Sequence, residues 1–228
     1  MFFIGLDDTD TLESRGTGRL ARQIAAALAA DYPLLGVTRH QLLADPRVPY
    51  TKNNSCAAIT LGTDGDLDPT DLLQRVRALM LADFIPGSDP GLCVARAVPA
   101  AITEFGRRVQ CELVAQGDAW ALAAAHDIPL LGLGGTEDGV IGALAAVGLA
   151  ASGEDGRYVL VGRSRELAGL QPISALLAAG ITAVQTTAGQ PVTEGLVQTD
   201  KLRPARRGGR PIAVVEWTGD YWLPVKLD

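Results

Sequence analysis

The residues best suited to chemistry lie within the first twenty positions. Asp7, Asp8 and Asp10 are three carboxylates in four residues, and they directly follow an apolar run over residues 1–6. A short apolar run that ends in a polar turn is typical of a buried strand. The carboxylates are therefore expected at the carboxyl edge of a strand, which is where open α/β sheets bind ligands.

These carboxylates predict a divalent cation. Like charges this close raise each other's pKa unless a cation compensates them. Carboxylate oxygens suit Mg2+, which proteins often bind through one or two carboxylates together with substrate phosphates. We therefore predict Asp7, Asp8 and Asp10 as catalytic metal ligands, with Thr9 between them in the cofactor site. An ordinary solvated turn is the alternative, because Asp and Thr are also common turn residues.

A glycine-bracketed threonine follows the acidic turn. Gly16, Thr17 and Gly18 precede an amphipathic segment over residues 19–32 that predicts a helix. Backbone N–H groups at a helix N-terminus bind anions, so Gly16, Gly18 and the hydroxyl of Thr17 are predicted to contact phosphate. The segment is not a P-loop, since the Gly-Lys-Ser/Thr signature is absent.

Two further segments contain candidate cofactor-binding residues. Lys52, Asn53 and Asn54 lie in a polar loop between two predicted strands, and a plain exposed turn is the equal alternative. Gly139 and Gly142 begin a predicted helix of small residues. Small residues permit close approach either of a ligand or of a helix to a sheet, and the sequence leaves both interpretations open.

Composition limits the class of protein. The chain has 228 residues, of which 47% are hydrophobic and 20% charged, which is typical of a globular protein. Its formal net charge of -6 gives no electrostatic signature of a nucleic-acid binder. Three scattered cysteines and two histidines predict neither a zinc site nor a disulfide framework. Without a leader or an apolar span, the protein is expected to be cytoplasmic.

The order of predicted elements indicates a mixed α/β (α+β) fold. A strand-helix-strand unit opens the chain, and a second series begins with a predicted strand over residues 109–115. The C-terminal section is rich in predicted strands. A predicted loop within it carries the densest group of positive charge, which could meet phosphate. Its members are Lys201, Arg203, Arg206, Arg207 and Arg210.

Several of these stretches resemble the archaeal tRNA-isoleucine agmatidine synthetase family. The likeness rests on five segments that occur in the family's order, and the first and last are the most specific. They are residues 5–10 (GLDDTD), 16–21 (GTGRLA), 45–50 (DPRVPY), 89–91 (DPG) and 139–148 (GVIGALAAVG).

The resemblance implies a kinase-like α/β domain over residues 1–112 and a ferredoxin-like α+β domain with a β-rich end over residues 113–228. It also implies that the acidic motif handles ATP and Mg2+. In that family a threonine after the acidic loop becomes phosphorylated, and Thr17 matches its position. The family activates a cytidine carbonyl in tRNA by phosphoryl transfer, and agmatine then displaces the phosphate.

The sequence departs from the family in ways that change the expected acceptor. Gly16 stands where a cysteine is usual and Gly18 where a second threonine is usual, and the polar tail over residues 51–55 lacks the family's arginine. The family's OB-fold and zinc ribbon have no counterpart. With the acidic net charge, this predicts that tRNA is not the substrate. A small molecule or nucleoside is expected instead, and a homodimer is left open.

The functional prediction is therefore an ATP- and Mg2+-dependent phosphoryl-transfer or ligase-type enzyme. Two alternatives stay open. A haloacid-dehalogenase-like phosphatase would use Asp8 and Asp10 as its Asp-x-Asp turn, although Leu12 stands where that motif expects Thr or Val. A regulatory module would bind the nucleotide without turning it over.

Overall fold

The computed structural model describes residues 1–51, 53–63 and 68–227, so Lys52 lies outside the described residues. Within these ranges there are twelve strands and six helices. The strands are β1 (Phe2–Asp7), β2 (Leu34–Gln41), β3 (Ser55–Leu61), β4 (Gly91–Ala95), β5 (Leu130–Gly132), β6 (Arg157–Leu160), β7 (Leu170–Pro172), β8 (Ala183–Thr186), β9 (Leu196–Gln198), β10 (Ala205–Arg207), β11 (Arg210–Trp217) and β12 (Trp222–Pro224). The helices are α1 (Thr17–Leu28), α2 (Pro69–Ala82), α3 (Ala100–Cys111), α4 (Gln116–Ala125), α5 (Gly139–Ser152) and α6 (Ile173–Ala178).

The first four strands and two helices follow the order β1-α1-β2-β3-α2-β4. β1 pairs antiparallel with both β3 and β4, and β2 pairs with the other edge of β3. The resulting strand order, β4-β1-β3-β2, is that of a ferredoxin-like split βαβ sheet. Because Asp7 pairs with Gly91, the carboxyl end of β1 lies beside the start of β4.

α1 and α2 cover one face of this sheet. Leu20, Ile24 and Leu28 recur at helical spacing in α1 and are buried in one cluster with Phe2 and Ile4 of β1. Alternate residues of a strand point to the same face, so β1 contributes every second side chain to this cluster. The amphipathic pattern predicted from the sequence therefore orients α1 so that its N-terminus lies near the end of β1.

α5 covers the opposite face with almost entirely small residues. It packs so closely on the sheet that a Cβ at Gly5 of β1 would overlap the carbonyl of Ala143. A Cβ at Gly91 of β4 would likewise overlap the backbone of Gly139. Glycine at both strand positions lets the helix backbone rest directly on the strand backbone.

The C-terminal strands extend the same sheet. β6 pairs antiparallel with β2, and β10 pairs with both β6 and β11. β11 then pairs with β12 and with β8. A separate cluster that includes Ile173, Leu176, Val197 and Val215 packs α6 against these strands. This arrangement places the C-terminal section beside the edge of β2.

The predicted mixed α/β class is confirmed, whereas two local predictions are wrong. The strand expected over residues 109–115 is instead the last turn of α3 followed by a loop. Ile102, Phe105 and Val109 recur at helical spacing and are buried together, so this face extends the helix. Of the residues predicted to lie in a basic loop, Arg206 and Arg207 instead belong to β10, where Arg206 is buried, and Arg210 begins β11.

The domain boundary proposed at residue 112 stays a prediction. The ferredoxin-like order occupies residues 2–95, within the part predicted to be kinase-like. α3 and α5, from either side of residue 112, pack so that a Cβ at Gly148 would overlap the carbonyl of Ile102. None of the helices in the described ranges combines the length and apolar character that a membrane span requires.

Candidate active site

The carboxyl end of β1 carries a cluster of carboxylates. Asp7 is the last residue of β1, and Asp8 follows it with a φ of 48°, in the left-handed region. Asp and Asn tolerate this conformation better than most residues. The sharp turn at Asp8 ends the strand and leads the chain towards the start of α1.

Two carboxylates of this cluster were not predicted from the sequence as site residues. Asp89 precedes β4, and Asp138 precedes α5 as its N-cap residue. Both act electrostatically on Asp8 and raise its pKa by repulsion. The pairing of Asp7 with Gly91 explains the position of Asp89. Only the antiparallel order of β1 and β4, which the sequence does not fix, would have revealed it.

Burial and repulsion raise the pKa values of Asp7 and Asp8. Burial raises the pKa of Asp7 to about 7, repulsion from Asp8 and Asp10 adds to the increase, and a hydrogen bond from the Asp8 backbone opposes it. Burial also raises the pKa of Asp8 to about 6, with repulsion from Asp89, Asp10 and Asp138. Perturbed carboxyl groups of this kind are frequent in functional sites.

Thr17 is connected to the acidic turn by hydrogen bonds. The Thr9 hydroxyl donates to Thr17 Oγ1 at 3.1 Å, and the Thr17 hydroxyl donates to Asp10 Oδ1 at 3.4 Å. Thr51 donates to the other oxygen of Asp10 at 3.5 Å. Asp10 therefore joins the acidic turn to the first residue of α1 and to the loop between β2 and β3.

The start of α1 faces a cavity of about 180 Å³. Gly16 is the N-cap residue and provides no side-chain cap, so the first backbone N–H groups of α1 are not covered by a capping side chain. Gly16, Thr17, Gly18 and Asn53 all line this cavity. The structure thus brings together the predicted Gly-Thr-Gly segment and one residue of the predicted polar loop.

Asn54 takes a different position from Asn53. Its side-chain amide donates to the carbonyl of Leu43 at 2.8 Å, and its backbone carbonyl accepts from the Leu42 N–H at 2.9 Å. Asn54 therefore fastens the two ends of the β2–β3 loop to each other. It lines a second cavity, of about 280 Å³, whose walls are largely apolar and which also contains Asp8 and Asp138.

Gly139 and Gly142 lie where α5 meets the acidic cluster. A Cβ at Gly139 would overlap the Asp89 carbonyl, and a Cβ at Gly142 would overlap the Asp7 carboxylate. Of the two interpretations left open by the sequence, these contacts favour close packing of helix on sheet. Gly139 also lines the 280 Å³ cavity. The role of Gly139 and Gly142 in cofactor binding stays a prediction.

The acidic cluster opens into a larger cavity of about 540 Å³. Asp8, Asp10 and Asp89 contribute its acidic part, and Tyr50 and Thr51 contribute part of its wall. Carboxylate oxygens fit Mg2+ in kind. Over the described ranges, however, no three or more His, Cys, Asp or Glu residues are grouped in a metal-binding arrangement. The predicted metal ligands therefore remain a prediction.

Comparisons with known proteins support the fold. No family model and no curated protein matches the sequence. Among solved structures, a tRNA fluorescent labeling enzyme is similar, with 24% identity and a TM-score of 0.57. A complex of the tRNA agmatidine synthetase TiaS with its tRNA and ATP is similar to the same extent, and apo TiaS has 22% identity and a TM-score of 0.55. Each match covers 64% of this chain.

The similarity shows a shared fold. The matched region is only part of each solved protein. The chain spans 35% or 36% of their length. Over the 64% of the chain that is matched, the fold is similar to that of the synthetase named by the sequence resemblance. A further structure of this fold is a complex of TiaS with tRNA, AMPCPP and agmatine.

The prediction that tRNA is not a partner is wrong. Solved structures with this fold include complexes with tRNA, so the fold itself is one that serves tRNA enzymes. The prediction relied on the net charge of -6, which describes the chain as a whole. A net charge does not show how charge is distributed on the surface, and local basic regions bind nucleic acid in acidic proteins too.

Proposed function

We propose that this chain binds ATP and transfers its terminal phosphoryl group to activate an acceptor. The observation that carries the proposal is the position of Asp10, which accepts hydrogen bonds from Thr17 at 3.4 Å and Thr51 at 3.5 Å. This contact brings the acidic turn and the N-terminus of α1 into one site. Phosphoryl transfer needs both features, because it depends on positioning and on charge neutralisation.

In this proposal the acidic cluster holds the metal. Burial raises the pKa values of Asp7 and Asp8 most, and repulsion between carboxylates adds to the increase. A bound dication would favour the ionised form of both groups. Two carboxylates with substrate phosphates are a usual environment of Mg2+. Asp7, Asp8 and Asp10 would hold the ion, which supplies charge neutralisation for the phosphates.

Thr17 and the adjoining glycines would contact the transferred group. The hydroxyl of Thr17 lies at the first position of α1, where the helix dipole and the backbone N–H groups favour an anion. Its hydrogen bonds with Thr9 and Asp10 fix the orientation of the hydroxyl. In this proposal Thr17 accepts the phosphoryl group of ATP or orients it towards the acceptor, and these hydrogen bonds support that role.

The reaction proposed is of the ligase type. A carbonyl oxygen of the acceptor attacks the terminal phosphorus of ATP and ADP leaves. An amine nitrogen then attacks the activated carbon, phosphate departs, and the amine loses a proton. The tRNA and agmatine of solved complexes with this fold supply the first acceptor and amine to test.

The test compares two Asp→Asn substitutions at matched backbone positions. Asp8 and Asp127 both have positive φ, 48° and 51°, and Asp127 is exposed after α4. Asp8→Asn should lower ATP turnover by at least about 100-fold, whereas Asp127→Asn should leave it unchanged. Turnover would be measured as ADP release with Mg2+ over a panel of acceptors that includes the tRNA of the solved complexes together with agmatine.

Other outcomes separate the alternatives. Unchanged turnover in folded Asp8→Asn would refute the role of the acidic cluster. Tight ATP binding by calorimetry without turnover over the whole panel would instead support a nucleotide-binding module. Release of phosphate from a simple phosphomonoester in the absence of ATP would support a phosphatase.

A further inference from the structure

A cavity of about 490 Å³ beside the start of α1 is strongly basic. Seven of the residues lining it are Arg or Lys: Arg19, Arg22, Arg39, Arg157, Lys201, Arg203 and Lys226. Among the described residues that line it there is no carboxylate. For a chain with a net charge of -6, this is a concentrated local excess of positive charge.

Distant parts of the chain build this basic cavity together. Arg22 comes from α1, Arg39 from β2, and Arg157 is the first residue of β6. Lys201 and Arg203 come from the segment between β9 and β10. The pairing of β2 with β6 brings these elements side by side, so the charge cluster is a product of the fold and not of a local sequence run.

Hydrogen bonds hold several of these cations without neutralising them. Arg22 donates to the carbonyl of Gly18 at 2.8 Å, and Arg203 donates to the carbonyl of Leu202 at 2.7 Å. Arg39 donates to the hydroxyl of Ser55 at 2.8 Å. The acceptors of these hydrogen bonds are neutral oxygens. The bonds therefore hold the guanidinium groups in place without cancelling their positive charge.

The repulsion appears in the pKa values of the cluster. Burial lowers the pKa of Arg157 to about 10, and Arg39 and Arg203 lower it further by repulsion. The pKa of Arg22 is also lowered, by burial and then by Arg165, Arg203 and Arg19. A bound anion would remove this repulsion, and guanidinium groups pair well with phosphate oxygens.

We infer that the basic cavity binds phosphate groups of the acceptor, so the acceptor is a phosphorylated molecule and not a free nucleoside. That the phosphate belongs to the acceptor rests on the proposed function. Gly16, Gly18 and Arg39 line both this cavity and the one lined by Thr17, so a molecule held here would lie next to the proposed site of phosphoryl transfer.

The phosphate could belong to a mononucleotide or to the backbone of an RNA strand. Titration with uridine, uridine 5′-monophosphate and a short oligouridylate separates these sources. All three are tested without ATP or Mg2+, so the result does not depend on turnover. We expect the monophosphate, the oligonucleotide or both to bind more tightly than uridine. Binding by the oligonucleotide alone assigns the cavity to an RNA strand.

Two double variants test the cavity. Arg22→Ala/Arg203→Ala removes two fixed guanidinium groups. Arg19→Ala/Lys201→Ala removes two exposed charges and is the variant expected to fold without difficulty. Each should weaken binding by about tenfold or more. Each should also reduce the slope of log affinity against log salt by about one per cation removed.

The control is Arg77→Ala/Arg107→Ala, which removes two exposed cations of α2 and α3. Its binding and salt slope should match those of the unmodified chain. Equal weakening in the control, unchanged binding in Arg19→Ala/Lys201→Ala, or binding of uridine as tight as that of both the monophosphate and the oligonucleotide would overturn the inference. Loss of the proposed ATP turnover would not do so, because these titrations contain no ATP.

Discussion

The Asp7 carboxylate lies against Gly142, where α5 crosses the end of β1. A Cβ at residue 142 would overlap the carboxyl group of Asp7. Glycine is otherwise unfavourable within a helix, so this contact explains why residue 142 of α5 carries no side chain. The contact determines how closely α5 approaches the acidic cluster.

Gly142→Ala should therefore destabilise the protein by about 1–3 kcal/mol, because the added methyl group must displace Asp7 or α5. The measurement is the free energy of unfolding in urea. Gly117→Ala is the matched control, as Gly117 also lies in a helix and its Cβ would meet nothing within 4 Å. That substitution should stabilise the protein by about 0.5–1 kcal/mol. Equal effects of the two substitutions would contradict the packing argument.

The raised pKa of Asp7 predicts how stability depends on pH. Its pKa is raised from 3.8 to about 7, so between these values the folded state retains a proton that the unfolded state has released. The contribution of Asp7 to the free energy of unfolding should therefore fall as pH rises from about 4 to about 7. Above that range the destabilisation is fully present.

Asp7→Asn should remove this part of the pH dependence. The change in the free energy of unfolding that the substitution causes should be more favourable at pH 8 than at pH 4. The difference should be on the order of 2 kcal/mol. Urea unfolding at both pH values measures the difference. The control is Asp220→Asn, in the exposed turn before β12. It should change the free energy of unfolding by a similar amount at both pH values. A parallel pH profile for Asp7→Asn and the unmodified chain would exclude a buried, protonated Asp7.

The sequence predicted most of the first half of the fold. The apolar run over residues 1–6 and the amphipathic pattern of α1 are local signals. The helical spacing of Leu20, Ile24 and Leu28 in α1 is kept, since all three side chains are buried on one face. Patterns of this kind predict the structure correctly because they depend only on residues that are close together in the sequence.

Features that depend on pairing between distant strands were not predictable. Asp89 joins the acidic cluster only because β4 lies antiparallel beside β1. Arg39 and Arg157 face one cavity only because β2 pairs with β6. Neither pairing follows from periodicity, which identifies strands but not their neighbours. The net charge was misleading for the same reason, since it contains no information about which charges become neighbours.

The buried imidazole of His40 connects β2 to Asp155, in the segment between α5 and β6. His40 is fully buried, with Nδ1 at 2.6 Å from Asp155 Oδ1 and Nε2 at 2.8 Å from Thr38 Oγ1. Gln110 donates to the other oxygen of Asp155 at 3.0 Å. Burial acts to raise the pKa of Asp155, but the bonds and charge of His40 and the bond from Gln110 hold it below its ordinary value.

Asp155→Ala should lower the free energy of unfolding at pH 7 by about 1–3 kcal/mol, because it leaves a buried imidazole nitrogen without its acceptor. A depressed pKa stabilises the folded state above the ordinary pKa of aspartate and loses this effect as pH falls through the folded value. The cost of the substitution should therefore shrink in acid. Urea unfolding at pH 7 and pH 3 measures it, with the exposed Glu166→Ala as control. A cost that does not change with pH would contradict the ionised pairing.

Under the proposed function, the Thr17 hydroxyl is the group that ATP would phosphorylate. Thr17→Val preserves the shape of the buried side chain but removes the group that accepts from Thr9 and donates to Asp10. It should abolish any phosphate added to the chain by ATP and Mg2+, as detected by intact mass, whereas Thr17→Ser should retain it. Thr11→Val, in the same acidic loop, should behave like the unmodified chain. Phosphate on Thr17→Val would place the acceptor hydroxyl elsewhere, because valine has no oxygen to carry it.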